Sequence, residues 1–177
     1  MSGCAFISQE VKFAPNVSVP SSDAGRGVSV AVRVVDERPK KALGHRGTAY
    51  GAAAEITTKD DLAEVVRTEI EKGLKAKGFG LAQFSQDYPV RLAIEVRLLE
   101  YTTSTGFWTG GIHTRGALKA VAAKNGKGYE KLYRIDDEER VIIVPTSDHN
   151  EQRINDALGK LIGELFMDLE LFAFLAK

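Results

Sequence analysis

The chain has 177 residues, 44% apolar and 27% charged, and 24 Lys plus Arg balance 24 Asp plus Glu. That length suits one well-packed core, and zero net charge leaves no basic footprint for nucleic acid. Cys4 is the only cysteine, which rules out an internal disulfide; the three histidines, His45, His113 and His149, lie far apart without zinc-ligand spacing, and no apolar run approaches a membrane span.

The head reads Met1-Ser2-Gly3-Cys4-Ala5. A small-small-cysteine triplet there is similar to the end of a bacterial lipoprotein signal, in which the cysteine becomes the lipidated first residue. An aliphatic residue, most often leucine, is usual three places before that cysteine. Met1 stands there instead, so the expectation is a leader removed and a start methionine in its place. The tripeptide alone is equally compatible with an intracellular chain whose cysteine falls near the start by chance. Residues 5 to 27 read as a tether, because Pro15, Pro20, Ser21, Ser22, Asp23 and Gly25 break any regular pattern. Val17 and Val19 are the material for a brief edge strand. The expected organisation is a lipidation head and flexible tether over 1–26 and one domain over 27–177.

From Gly27 the pattern is regular. Val28, Val30, Val32 and Val34 alternate with Ser29, Ala31 and Arg33, the period of a strand with one buried face. Pro39 ends it. A glycine-rich loop follows, with a second strand expected within Ala52 to Thr57. Leu62, Val65, Val66, Ile70 and Leu74 predict a helix over 58–77, with Thr58 and Asp61 as a capping pair and Gly78 as its stop. Phe79 to Phe84 is a short strand. Three long strands follow: one carrying Val90, Leu92, Ile94, Val96 and Leu98 on one face, one over 112–124, and one over 129–136. Asn125-Gly126 makes the last two a hairpin. Pro145 closes the ladder. A long final helix, capped by Ser147 or Asp148, carries Ile154, Leu158, Leu161, Ile162, Leu165 and Phe166, and the apolar character runs on through Phe172 and Leu175. This order predicts an α+β two-layer sandwich: a mainly antiparallel sheet with two amphipathic helices on one face.

Cys4, a spacer ending Pro20-Ser21-Ser22-Asp23-Ala24-Gly25-Arg26-Gly27, a valine strand running into Asp36-Glu37-Arg38, and Leu43-Gly44 together resemble the YajG family of bacterial lipoproteins. The resemblance covers most of the chain and is sharpest at the Asp-x-Arg after the strand. It implies a Gram-negative envelope address, anchored in the outer membrane through lipid on Cys4 and facing the periplasm. Ala5 is not the aspartate associated with inner-membrane retention. It implies no established activity.

Asp36 and Arg38, two apart, share a strand face, and the planar arginine fork suits a carboxylate or phosphate. With Arg46 they form either an anion- or peptide-recognition corner or, the favoured reading, a clamp on the loop. Gly44-His45-Arg46-Gly47 lacks the spacing and Lys-Ser/Thr ending of a phosphate loop. Phe107 and Trp108, between Gly106 and Gly110, are suited either to a ligand at a hairpin tip or to folding back over the sheet edge. The run Asp136-Asp137-Glu138-Glu139 reads as a solvated turn. No nucleophile elbow, metal site or cofactor motif is present. The expectation is a non-catalytic, lipid-anchored domain that binds or scaffolds an envelope component. Its rivals are a small-ligand or glycan-binding module using Phe107, Trp108 and the arginine loop, and an envelope hydrolase.

Overall fold

In the computed structural model, which describes residues 8–46, 54–105, 110–141 and 145–177, strands and helices follow in the order β1 (Gln9–Glu10), β2 (Ser29–Asp36), β3 (Gly44–Arg46), β4 (Ala54–Thr57), α1 (Leu62–Ala76), β5 (Gly80–Ala82), β6 (Val90–Thr105), β7 (Gly110–Lys124), β8 (Lys127–Val141), α2 (Ser147–Phe166) and α3 (Leu169–Ala176). The described strands join one sheet, with the helices packed on it as the second layer of an α+β sandwich. The sheet is mixed. β6, β7 and β8 form an antiparallel meander, but β2 lies parallel to both β5 and β6.

Alternation explains which face is buried. Val30 and Val32 of β2, Leu92, Ile94 and Val96 of β6, and Leu118, Ala120 and Ala122 of β7 all turn into the core. β6 then carries a bulge between Val96 and Leu98. One extra residue shifts the parity of everything after it, so Leu99 and Tyr101 are buried while Leu98 turns away to a half-buried position. The uninterrupted alternation expected through Leu98 is corrected by this bulge. The hairpin between β7 and β8 forms as expected: Asn125 and Gly126 both have positive φ, 50° and 77°, and Lys124 faces Lys127 across the loop.

The helices obey local signals, though not always the residues named from sequence. Asp61, rather than Thr58, caps α1, accepting from the Ala63 and Glu64 N–H groups. At its end Phe79 N–H bonds Leu74 O and Gly78 N–H bonds Lys75 O, with Gly78 at φ 79°, a Schellman stop. Thr146, rather than Ser147 or Asp148, caps α2 through His149 N–H. α1 meets α2 at Gly73, where an added Cβ would come within 2.1 Å of Phe166 Cζ. The final apolar run is two helices, not one. Asp168 breaks it and caps α3 through Glu170 and Leu171 N–H.

The tether expected over residues 1–26 is corrected for its described part. From Gln9 onward the segment is a docked strap. β1 pairs parallel with β4, Val11 and Phe13 are buried, and Val17 and Val19 pack partly buried against the core instead of forming a strand. Lys12 and Ala14 N–H groups bond Glu151 and Asn155 of α2, Phe13 N–H bonds Asp60, and Asn155 returns a bond to Lys12 O. Farther on, Ser22 and Gly25 bond the end of α1. Prolines leave fewer N–H groups to satisfy, but they do not prevent docking when apolar residues and backbone donors find partners.

Candidate functional site

β2 ends at Asp36, and the chain turns with Glu37 N–H bonded to Val96 O at 3.0 Å. Arg38 folds back onto Asp36. Its Nε and Nη2 each lie 2.9 Å from a carboxylate oxygen, and its own N–H reaches Oδ1 at 3.2 Å. Lys41 Nζ adds contacts to Oδ2 at 3.1 Å and to the Asp36 carbonyl at 2.8 Å. The Arg38 side chain is 3% exposed, and its Nη1 is buried with no hydrogen-bond partner among the described residues. Burial pushes the Asp36 carboxyl up, but the bonds from Arg38 and Lys41 outweigh it and hold the group below its ordinary value. The corner is a closed clamp, its arginine fork already filled by Asp36. His45 is exposed on β3. The side chain of Arg46, together with Phe107, Trp108 and Cys4, lies outside the described residues.

A stronger electrostatic centre lies where sequence reading placed no site. Asp168, at the α2–α3 break, has a side chain 2% exposed. While Oδ1 caps α3, Oδ2 accepts from Tyr133 Oη at 2.5 Å and Tyr129 Oη at 2.7 Å, and Lys131 Nζ sits 2.9 Å away. Burial acts to raise this carboxyl, but the bonds from Tyr133, Lys131 and Tyr129 overcome it and drive the group well below the carboxylate range. The Tyr133 hydroxyl is pushed far up, first by burial and then by donating to Asp168. A second buried chain links Tyr101 Oη to Asn150 Oδ1 at 2.5 Å, Asn150 Nδ2 to Gln9 at 3.0 Å, and Gln9 Nε2 to Ser147 O at 2.7 Å. The spacing of Tyr129, Lys131 and Tyr133 on one strand face was a usable signal; its carboxylate partner 35 residues on from Tyr133 was not.

The acidic run is strand, not turn. Alternation splits it: Asp137 and Glu139 face α2, and Asp136 and Glu138 face out. Asp137 meets Arg153 at 3.1 Å and Lys160 at 2.6 Å, while Glu139 meets Arg153 at 3.1 Å and His149 at 3.2 Å. The sheet face away from the helices carries Arg91, Glu95, Arg97, Lys119 and Arg134, interspersed with Val35, Ala93, Val121 and Leu132. Arg33 stacks on Phe84 at one corner of it, 5.2 Å from the ring centroid. Two open grooves lie among the described residues: one of about 420 Å³ between the strap and α1, lined by Phe13, Pro15, Val65 and Thr68, and one of about 390 Å³ beside the Asn125-Gly126 hairpin. No group of three or more potential metal ligands occurs among the described residues, and no described helix is long and apolar enough to cross a membrane.

A family model described as an uncharacterized lipoprotein matches residues 15–176. No curated protein sequence matches the chain. Among solved structures, XCC0632 from Xanthomonas campestris, of the family model DUF330, is 14% identical, with 86% of this chain and 91% of that one covered at a TM-score of 0.52. A neuraminyllactose-binding hemagglutinin homolog from Helicobacter pylori is 15% identical, with 93% and 97% covered at a TM-score of 0.53. These likenesses are of fold.

Proposed function

The chain belongs to the uncharacterized lipoprotein family whose model spans residues 15–176, and we propose that it serves as a lipid-anchored envelope module of the YajG kind. In this reading it is held in the outer membrane through Cys4, faces the periplasm, and binds or scaffolds another envelope component without catalysing a reaction. The observation that carries the reading is the division of labour in the sheet. The helices cover one face, and the opposite face presents apolar side chains spaced among charges. The most perturbed ionisable groups, Asp168 and Tyr133, are engaged with each other and with a helix cap instead of converging on a groove. Ala5 after the cysteine supports the outer-membrane address.

Two measurements test it. With its natural leader, membrane-fraction protein should carry lipid on Cys4 by mass spectrometry; unmodified Cys4 in a soluble chain would remove the anchor. A photocrosslinker at Val35 or Val121, on the uncovered face, should give adducts in intact envelopes that one at Gln152 does not; equal adducts from both faces would reject a dedicated surface. A second reading, a glycan-binding module, rests on Phe107 and Trp108 between glycines. Trp108 is the only tryptophan, so its fluorescence reports that binding directly.

A further inference from the structure

β8 is a fifteen-residue strand at the rim of the sheet, and among the described residues it pairs with β7 alone. No described strand or loop pairs with its outer row of backbone N–H and C=O groups. Charged side chains usually deter pairing at such an edge. Here their order does the opposite for one partner. Glu130, Leu132, Arg134, Asp136, Glu138 and Arg140 lie on the uncovered face, all exposed. Arg134, Asp136 and Arg140 have no ion-pair or hydrogen-bond partner among the described residues.

We propose that β8 pairs antiparallel with β8 of a second copy of this chain, about a two-fold axis at Ile135, joining two sheets into one. The register follows from charge. A two-fold axis perpendicular to the sheet pairs residues whose numbers sum to a constant, and that sum must be even for side chains to share a face. Centred on Ile135, Arg134 faces Asp136 of the second copy and Glu130 faces its Arg140. On the helix side, Lys131 faces its Glu139. Each pair occurs twice by symmetry. Leu132, 42% exposed, falls opposite Glu138 and diagonal to Arg140, whose aliphatic stem can cover it. Moving the centre to residue 134 sets Arg134 against Arg134 and Glu130 against Glu138; moving it to 136 sets Asp136 against Asp136. Neighbouring registers are thus penalised by like charges, and the register at 135 has none opposed. Both copies keep their helices on the same side of the joined sheet. The inference stands apart from the envelope role above, since it needs only the edge and its charges.

The test is sedimentation velocity of the full chain over a concentration series, under reducing conditions so that Cys4 cannot link copies. A reversible dimer is expected, with hydrogen exchange of β8 amides slowing as concentration rises. R134D or D136R alone should weaken self-association about tenfold or more, because each puts two like-charge pairs face to face. The double variant R134D/D136R should recover it. Both positions are exposed, and circular dichroism checks that each variant is folded. A chain that stays monomeric to roughly 1 mM, too weak to matter, overturns the proposal. So does a dimer indifferent to both single variants, and so does a double variant no tighter than the singles.

Discussion

Replacing Asp168 by alanine should be among the most damaging single changes at a polar site of this domain. The substitution removes the N-cap of α3, a loss of about 0.5–2 kcal/mol. It also leaves the buried Tyr133 hydroxyl without its acceptor, which costs about 1–3 kcal/mol. Tyr129 and Lys131 reach water more easily and add little. The total is about 3 kcal/mol, and at about 2–4 °C per kcal/mol for a chain of this size the midpoint should fall by roughly 6–12 °C. Asp168→Asn keeps the cap acceptor and should cost less. The pH dependence has a definite sign. The folded carboxyl is held below its unfolded value, so its contribution is complete above the unfolded pKa of about 4 and is lost progressively as pH falls below that. Urea denaturation of wild type, Asp168→Asn, Tyr133→Phe and the double variant, repeated at neutral pH and near pH 3, measures both effects. Additive single changes, or a wild-type advantage over Asp168→Asn that persists unchanged in acid, would falsify the account of this cluster.

At the Asp36 clamp, the two partners should differ. Asp36→Ala strands a buried guanidinium and should cost about 3–5 kcal/mol, whereas Arg38→Ala leaves Asp36 still paired with Lys41 and should cost about 1–3 kcal/mol; denaturation midpoints in the reverse order would refute the clamp. Arg38→Ala should also destabilise more than Arg46→Ala, with equal midpoints counting against it. In the strap, Phe13→Ala should cost about 3–5 kcal/mol as a buried aromatic truncated against α1, where a free tether would show no change in urea midpoint.

Signals that repeat within a few residues were readable without a structure. The valine alternation of β2, the apolar spacing of α1, and Asn125-Gly126 between two alternating runs each state a backbone conformation locally, because side-chain direction follows a period of 2 or 3.6. The Asp36–Arg38 clamp was legible for the same reason, since both partners lie within one turn of chain. Other features depended on which distant segment arrived opposite. Parallel pairing of β2 with β6 joins residues some sixty apart, and nothing in either strand states its direction relative to the other. The strap reads as a spacer until Glu151 and Asn155 of α2 supply partners for its N–H groups. The bulge after Val96 reversed the parity of β6, and only packing against Gly116 and Thr114 of β7 reveals the switch. Asp168 sat unremarked in an apolar run. Its importance comes from two tyrosines and a lysine brought across from β8, and a buried carboxylate acquires its energy from such partners, not from its neighbours in sequence.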